Sequence, residues 1–380
     1  MDVRMRLWAV LVSACLASAT VFGADSKPSL RADLMQQPGL IDAQFMFTEA
    51  PFRSCHASTI AETRDYFVSA FFGGTEEGNT DVGIWMCRKK KGGRNWSAPV
   101  EAADGVQYTK VPSGQVKRWA CWNPVLYQAV GGPLLLFYKV GPNPDRWWGM
   151  LKTSDDQGAT WSMGRRLPEG ITGPVRAKPV MLNDGRLLCG SSTEDKGWRV
   201  HMEWTTDLGR TWSRTDALND GKDFAAIQPT ILRHPDDRLQ ILCRSDDNIR
   251  QSWSTDGGRT WSPLVTSILP NPSAGIDAVK LPDGRHLLVY NHATGDTGKR
   301  SKLNVALTAD GEHWKAALKL EDVTTIEGKR AHGAYPAAIL ASDGLVHITY
   351  SWGRGRINYV VIDPAKLVLR EMPDGQWPEG

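Results

Sequence analysis

The chain has 380 residues, 41% of them hydrophobic, and a formal net charge of +3 from 45 basic and 42 acidic side chains. This composition excludes a largely disordered chain, and the balanced charge excludes a protein that binds nucleic acid through a phosphate-tracking basic surface. Beyond the N-terminus no apolar run reaches the ~18–20 residues of a membrane span. The 37 Gly and 16 Trp are the unusual counts, and many Gly-rich turns predict many short strands.

The N-terminal segment has the pattern of an export signal. Two arginines precede an apolar stretch that runs from Leu7 to about Val21, and two small residues follow it. This pattern predicts a cleaved signal peptide over residues 1–24 and a periplasmic or secreted protein. Two alternatives stay open: a buried N-terminal helix, and a lipid-attachment box ending at Cys15, which the apolar residues after Cys15 disfavour.

Five cysteines follow this segment, at positions 55, 87, 121, 189 and 243. An odd number cannot all pair within one chain. Cys189 and Cys243 stand inside apolar, strand-like runs, which favours buried thiols. No CxxC pair and no His/Cys spacing typical of a metal site is present, so the sequence predicts neither a metal nor a cofactor.

An eight-residue motif, S/T-x-D-x-G-x-T-W, recurs along the chain. Its three full copies are SDDQGATW (154–161), TTDLGRTW (205–212) and STDGGRTW (254–261). Degenerate copies end at Trp96 and Trp314, so the five tryptophans are 65, 51, 49 and 53 residues apart. Asp and Gly form turns, the carboxylate can accept hydrogen bonds from the turn's own amides, and Trp can cover the hairpin as an apolar plug. We therefore interpret these Asp and Trp residues as structural.

A second repeat is offset from the first and describes a pair of strands. Each of its six copies has a short apolar strand, a turn and a second apolar strand. The copies begin at His56, Asn123, Lys178, Gln228, Asp277 and Tyr335. Six units of roughly 50–65 residues predict an all-β, six-bladed β-propeller that forms a single domain over residues 25–380. A row of separate sandwiches is the alternative, but the sequence has no linkers between the repeats.

The first residues of these six copies form the candidate site. Propeller geometry places the start of each inner strand near the axial mouth, and all six residues there are polar or ionisable. The interpretation is a shared polar pocket on the axis, in which neighbouring charges perturb one another. The alternative is a set of six solvated loop ends.

Arginines are predicted to reach the same mouth. Arg244 ends the second strand of the fourth copy, Arg300 precedes the last degenerate box, and Arg176 and Arg199 lie close to Lys178 in the sequence. One such arginine alone is typical of a surface. Several together predict an anionic ligand, because a guanidinium group binds a carboxylate with two parallel hydrogen bonds.

Two further segments carry candidate residues. The Gly-rich loop GGTEEGNTDVGIW contains Glu77 and Asp81, and a carboxyl group there could act as a general acid. The alternative is a solvated acidic loop. Trp147 and Trp148 in NPDRWWGM could stack on a sugar, and core packing is the alternative.

With its Asp boxes on a predicted six-bladed propeller after a signal peptide, the chain resembles the bacterial exo-sialidases (neuraminidases) and their BNR/Asp-box relatives over its whole mature length. The resemblance implies that Arg244 in LCRSDDN and Arg300 in KRSKLN hold the substrate carboxylate. It implies that Tyr335 in GAYPAAIL is the nucleophile, with Asp81 as the acid/base and Glu77 as second choice. A neutral phenol suits a substrate that itself carries a carboxylate.

Three positions depart from the family pattern. His56-Ala57-Ser58 stands where sialidases have Arg-Ile-Pro, and Ser351 stands where a Glu supports that Arg. Gln228 stands where a Glu polarises the nucleophilic hydroxyl, and Gln can hydrogen-bond a phenol but cannot take its proton. Asp277 or His56, on the same predicted ring, could take over that activation.

The sequence thus predicts a secreted exo-sialidase-like glycosidase that removes a terminal acidic sugar, sialic acid first, from glycans. Lys178, Asn123, Arg199, Glu77 and Trp148 are the remaining candidates for substrate contact. Two alternatives stay open: a uronic-acid-directed polysaccharide lyase or glycosidase on the same fold, in which Tyr335 and His56 are acid and base, and a carbohydrate-binding propeller without catalysis.

Overall fold

The structure is a computed structural model that describes residues 34–108, 116–294, 300, 302–322, 325–326, 329–330 and 333–379. The predicted signal peptide and Cys15 lie outside the described residues. Within the described part of the chain, no helix has the length and apolar character needed to cross a bilayer.

Six antiparallel sheets form the blades of a β-propeller, which confirms the predicted all-β fold. Blades 1 to 3 follow one another along the chain, each ordered from its inner to its outer strand. Blade 1 contains Ser54–Glu62, Tyr66–Gly74, Gly83–Lys90 and Val100–Ala103. Blade 2 contains Cys121–Gln128, Leu134–Val140, Trp148–Ser154 and Arg165–Arg166. Blade 3 contains Val180–Met181, Leu187–Thr193, Arg199–Thr205 and Ser213–Arg214.

Blades 4 to 6 continue the same order, with an added edge strand in blade 5. Blade 4 contains Ile227–Arg233, Leu239–Arg244, Asn248–Ser254 and Val265–Pro270. Blade 5 contains Asp277–Lys280, His286–Asn291, Lys302–Thr308, Trp314–Asp322 and Arg370–Glu371. Blade 6 contains Gly333–Leu340, Val346–Trp352 and Arg356–Ile362, and its outermost strand is Leu40–Phe45.

Among the described residues, three smaller elements lie outside the blades. Val106–Tyr108 pairs with Val116–Arg118, and Thr325–Ile326 pairs with Lys329–Arg330. Pro373–Gly375 forms a short 3-10 helix.

The ring closes by pairing the two ends of the described chain. Leu40–Phe45 runs antiparallel to Arg356–Ile362, with Ala43 opposite Val360. On the axial side, the amide of Ala57 in blade 1 donates a hydrogen bond of 3.0 Å to the hydroxyl of Ser351 in blade 6. Closure in this way joins the last blade to the first and leaves each blade with short edges only, as is typical of propellers.

Apolar side chains on both faces of the middle strands form the core. Leu134–Val140 is buried at every residue, because neighbouring blades cover both faces of its sheet. All five cysteines from Cys55 to Cys243 are buried as free thiols, which confirms the prediction made for Cys189 and Cys243.

The Asp boxes form the turns between the third and fourth strands, and their hydrogen bonds confirm the structural interpretation. The carboxylate of Asp207 accepts bonds from the amides of Arg210 and Thr211, at 2.9 and 2.8 Å. The indole N–H of Trp212 donates to the carbonyl of Gly209 at 2.9 Å, and its ring packs against the core of blade 2. These residues hold the hairpins together on the face opposite the axial mouth.

We expect the Asp boxes to make the stability of the fold decrease at acidic pH. Hydrogen bonds from the hydroxyl and amide of Thr160 lower the pKa of Asp156 to about 2, below the ~3.9 of an unfolded Asp. The contribution is therefore complete above pH ~4 and lost as the pH falls through about 2. Asp156→Asn should reduce the fall of the thermal unfolding midpoint between pH 4 and pH 2, measured by circular dichroism. Asp155→Asn removes an exposed carboxylate of the same turn as the control, and identical curves for parent and Asp156→Asn would contradict the prediction.

Candidate active site

Four of the six inner strands carry a bulge at the axial mouth. The residues at the bulges have left-handed backbone angles although none is glycine: Ala57 (φ 56°), Asn123 (φ 28°), Gln228 (φ 56°) and Tyr335 (φ 56°). Such conformations are strained for side-chain-bearing residues and persist where the surroundings enforce them, often beside active sites. The bulges turn the start of each inner strand toward the axis.

The bulges correct the alignment of the repeats in blade 1. The residue equivalent to Tyr335 and Gln228 there is Ala57, and His56 precedes it by one position. The sequence repeat could not show this offset, because the apolar strands on either side match equally well with or without a one-residue shift. His56 nevertheless lies at the centre: it is 2% exposed, and its ring centroid is 4.3 Å from that of Tyr335.

Three guanidinium groups surround the phenol of Tyr335. The guanidinium carbons of Arg176, Arg244 and Arg300 lie 5.3, 5.8 and 5.6 Å from the centroid of its ring. Arg244 Nη1 also donates a hydrogen bond of 2.6 Å to the Tyr335 hydroxyl. The three arginines come from the loop before blade 3, the second strand of blade 4 and a loop of blade 5. The structure therefore brings together the tyrosine and both arginines that the sequence predicted.

Ser273 anchors two of these arginines in the loop between blades 4 and 5. Arg244 Nη2 donates to its hydroxyl at 3.0 Å, and Arg300 Nη2 donates to its carbonyl. Ser273 itself has φ 56°, so the loop holds a strained conformation while it places the two guanidinium groups. Burial lowers the pKa of Arg300. Two cations held together in this way have the charge and the donors that an anion would need.

Arg176 is the most buried member of the cluster, at 1% exposure. One of its terminal nitrogens donates a 2.5 Å hydrogen bond to the carbonyl of Pro336, the residue after the nucleophile candidate. Within the described part of the chain, its Nε and Nη1 have no hydrogen-bond partner. Burial lowers its pKa to about 10, so it remains charged at neutral pH. It therefore adds positive potential beneath Tyr335 without being open to solvent.

Asp277 and Lys178 form an ion pair on the axis. Asp277 is 1% exposed, and its carboxylate also accepts hydrogen bonds from the hydroxyl of Thr230 at 3.1 Å and the amide of Ala338 at 2.9 Å. These contacts tie the inner strands of blades 4, 5 and 6 together. A catalytic role for Asp277 stays a prediction, and the carboxylate is already shared among three donors.

Gln228 and Asn123 are buried at their bulges, at 2% and 5% exposure. The backbone N–H of Gln228 donates a hydrogen bond to the hydroxyl of Ser192 at 3.2 Å. The hydrogen bond shown at the Tyr335 hydroxyl comes from Arg244. Gln228 thus lines the axis, and its catalytic role stays a prediction.

The loop with Asp81 and Glu77 lies beside the arginine cluster. Glu77 forms an ion pair with Arg354, and the charges of both act on Arg300. Asp81 is exposed and accepts hydrogen bonds from the amide of Thr75, at 2.8 Å, and from its hydroxyl. The hydroxyl of Thr75 is the main cause that lowers the pKa of Asp81. An acid/base role for Asp81 requires that a bound substrate displace this hydrogen bond.

The predicted contacts Trp148 and Arg199 lie to one side of Tyr335, in a cavity between blades 2 and 3. Glu194 lines the same cavity and interacts with the charge of Arg244. The ring of Trp198 lies 4.8 Å from the Arg244 guanidinium carbon. Burial and repulsion by Asp145 raise the pKa of Glu194, against the opposing charge of Arg244.

Sequence reasoning missed Arg354, Glu194 and Ser273. A signal was present for two of them: Glu194 and Arg354 follow the second strands of blades 3 and 6, where Arg244 ends the second strand of blade 4. Comparing equivalent positions blade by blade would have found them. Among the described residues, no three His, Cys, Asp or Glu side chains are grouped as a metal site.

A family model described as BNR repeat-like domain matches residues 65–348, most of the chain. No curated protein sequence is significantly similar to this chain.

Solved structures share the architecture at low identity. A protein of unknown function from Dyadobacter fermentans has a TM-score of 0.64 and 16% identity, with 87% of this chain and 99% of that chain covered. A mutant of NanB sialidase from Streptococcus pneumoniae has a TM-score of 0.63 and 13% identity, and the match covers 85% of this chain and 71% of that chain. Trypanosoma rangeli sialidase has a TM-score of 0.60 and 15% identity, and the match covers 89% of this chain but only 60% of that longer chain. At these identities the likeness shows the fold alone.

Proposed function

The chain belongs to the BNR repeat-like family, and from that premise we propose that it is a glycoside hydrolase that removes a terminal acidic sugar, sialic acid first, from glycoconjugates. The observation that carries the proposal is the buried cluster in which Arg244 bonds the Tyr335 hydroxyl while Arg176 and Arg300 lie within 6 Å of its ring centroid. A tyrosine nucleophile beside an arginine anion site fits a sugar that bears a carboxylate next to its reacting carbon.

Substrate binding depends on the two arginines anchored by Ser273. Arg244 and Arg300 bind the sugar carboxylate, and the displaced Arg244 bond frees the Tyr335 hydroxyl oxygen to face the anomeric carbon. The neighbouring charge stays favourable: Glu77, which acts on Arg300, is already paired with Arg354, and Glu194, which acts on Arg244, has a pKa raised by burial. The bound geometry holds the reacting atoms together and lowers the entropic cost of attack.

In the first chemical step, Tyr335 Oη forms a bond to the anomeric carbon as the bond to the leaving oxygen breaks. Once a bound substrate has displaced the Thr75 hydrogen bond and Asp81 has taken up a proton from solvent, Asp81 gives that proton to the leaving oxygen. The phenolic proton passes to His56, whose ring lies against Tyr335. Arg176 stabilises the negative charge that develops on the phenolic oxygen. The resemblance implies that sialidases activate this hydroxyl with a Glu where this chain has Gln228. Arg176 therefore supplies, through its charge, part of the activation that Gln228 cannot.

In the second step a water molecule attacks the same carbon and the bond to Tyr335 Oη breaks. Asp81, now ionised, takes the water proton, and His56 returns its proton to the phenolate. The products are the free acidic sugar and the shortened glycan, and every side chain regains the protonation state in which the first step began.

We expect the purified protein to hydrolyse an aryl sialoside with release of free sialic acid, measured by chromophore release and by chromatography of the sugar. Release should saturate with substrate, because the arginine cluster is a preformed site. An unsaturated product that absorbs in the ultraviolet, formed by β-elimination of a uronate, would instead assign the site to a lyase.

Two outcomes would contradict the sialidase proposal. One is no turnover of the sialoside together with retained binding of a uronic acid or its oligomers, which favours the uronate-directed alternative. The other is sugar binding that is identical in the parent and in Tyr335→Phe with no turnover of any acidic glycoside, which favours a binding module.

A further inference from the structure

We propose that residues 271–275, the loop between blades 4 and 5, position Arg244 and Arg300 so that the two arginines bind one anionic group together. The inference rests on the proposed function, because it specifies how the carboxylate site of that function is assembled. Ser273, in the middle of this 271–275 loop, contacts both arginines. Its hydroxyl accepts a hydrogen bond of 3.0 Å from Arg244, and its carbonyl accepts one from Arg300. One residue therefore sets the separation of two cations that come from different blades.

Ser273 holds a backbone conformation that favours glycine. Its φ is 56°, in the left-handed region, where a residue with a side chain is strained. Glycine would adopt this conformation without strain, but glycine has no hydroxyl to accept the hydrogen bond from Arg244. A strained serine at this position is therefore explained by the arginine that it holds, and not by the needs of the loop.

Asn271 enforces this conformation from within the loop. Asn271 is fully buried, and its side-chain amide both donates to the carbonyl of Ala274 and accepts from the backbone N–H of Ala274, each at 3.0 Å. These two hydrogen bonds close a ring across the loop, with Ser273 inside it. The backbone N–H groups of Ser273 and Asn271 donate to the carbonyls of Ser245 and Asp247, at 3.1 and 2.7 Å. The loop is thus tied to the turn between the second and third strands of blade 4.

Gly275 brings the same loop against the other half of the cluster. A Cβ atom at Gly275 would lie 3.3 Å from the ring of Tyr335 and 3.4 Å from Arg176 Nε. Both distances are short for a Cβ, so a larger residue would displace the phenol or the guanidinium group. The 271–275 loop therefore lies against all four members of the cluster, which are Arg176, Arg244, Arg300 and Tyr335.

The loop orders the two arginines before an anion binds. A long arginine side chain loses rotamer freedom when it is fixed in one geometry. Because Ser273 already fixes Arg244 and Arg300 in the free protein, less of this freedom is lost on binding. Loss of the anchor should therefore weaken anion binding while both cations remain present.

The first test needs no ligand. NMR of the full chain follows the Nε–Hε signals of the two arginines, assigned by their disappearance in Arg244→Met and Arg300→Met. In Ser273→Gly we expect the Arg244 signal to move, because Nη2 loses its acceptor and the guanidinium group shifts over the ring of Trp198. The Arg300 signal should move less, because glycine keeps the carbonyl. In Asn271→Ala both signals should move, because the backbone of the loop is released.

The second test compares stability with binding. Ser273→Gly should keep or raise the thermal unfolding midpoint, because it relieves the left-handed strain. The same variant should weaken binding of free sialic acid about fivefold, measured by calorimetry. In the Arg244→Met background, Ser273→Gly should change the Kd by less than about twofold, because the hydroxyl acts through Arg244 alone. A residue that only stabilises the loop would lower the midpoint and leave both the Arg244 signal and the Kd unchanged.

Leu208→Gly is the matched control, because Leu208 is also left-handed (φ 57°) but lies in an Asp box on the opposite face. It should leave the arginine signals and sialic acid binding unchanged. If Asn271→Ala fails to fold, Ser273→Gly decides alone. An unmoved Arg244 signal in Ser273→Gly, or an equal loss of affinity with and without Arg244, overturns the inference.

The proposed hydrolysis is scored separately with the aryl sialoside. Displaced arginine signals in Ser273→Gly, in a protein that neither binds sialic acid nor cleaves the sialoside, support the positioning role and reject the hydrolase. Cleavage by the parent together with unmoved arginine signals in Ser273→Gly does the reverse.

Discussion

Replacing Tyr335 by Phe is expected to lower kcat for an aryl sialoside at least about a thousandfold and to leave the Kd for free sialic acid within about threefold. The change removes only the hydroxyl oxygen that would bond the anomeric carbon. The ring keeps its packing against His56 and its place among the three guanidinium groups. Since the arginines that bind the carboxylate are unchanged, binding persists while the covalent step is lost. Single-turnover kinetics and calorimetry measure the two quantities separately.

Tyr127→Phe is the matched control for this experiment. Tyr127 is a half-buried tyrosine of an inner strand, in blade 2, near its end remote from the mouth. Its loss of a hydroxyl should leave kcat unchanged. A Tyr335→Phe variant that retains kcat within about tenfold of the parent would show that the phenol is not the nucleophile.

Replacing Arg244 by Met is expected to weaken binding of free sialic acid by about 10- to 150-fold, the effect of losing a charge-assisted hydrogen bond of roughly 1.5–3 kcal/mol. Arg244 is held by Ser273 and faces the Tyr335 hydroxyl, so it is placed to meet a ligand carboxylate. Methionine keeps much of the apolar length of the side chain and removes the cation. Calorimetry at constant ionic strength measures the change.

Arg176→Met separates the two roles given to arginine at this site. Arg176 is 1% exposed, so it cannot contact the ligand carboxylate as Arg244 does. We expect Arg176→Met to lower kcat more than it raises Kd, whereas Arg244→Met should do the opposite. Arg238→Met is the control, because Arg238 is an exposed arginine at the far hairpin of blade 4. Unchanged affinity in Arg244→Met would reject the assigned anion site.

Much of the fold could be predicted because its signals are local. An Asp box is a turn whose Asp, Gly and Trp contact one another within eight residues, so its sequence specifies its geometry. The six copies of the strand-pair repeat then count the blades. Blade 6 was harder to complete, because its outer strand comes from Leu40–Phe45, more than 300 residues before the strand it pairs with.

The candidate site was predictable where a residue starts or ends a repeated strand. Tyr335 and Arg244 have that property, and the structure places them in contact. Glu194 and Arg354 follow the second strands of blades 3 and 6, and only a comparison of these equivalent positions, not the repeat motifs themselves, marks them. The offset of His56 relative to Ala57 also escaped prediction, since a bulge adds a residue without changing the apolar pattern around it.

The sequence by itself determined the Asp-box turns, the inner strand pairs and the number of blades, because these depend on contacts between residues close in the chain. Only the tertiary structure decided which polar groups meet at the axis. Arg176, Arg244, Arg300 and Tyr335 come from four parts of the chain, and closure of the ring sets the distances among them. The electrostatics of the site depend on those distances and on burial, and neither property is local in the sequence.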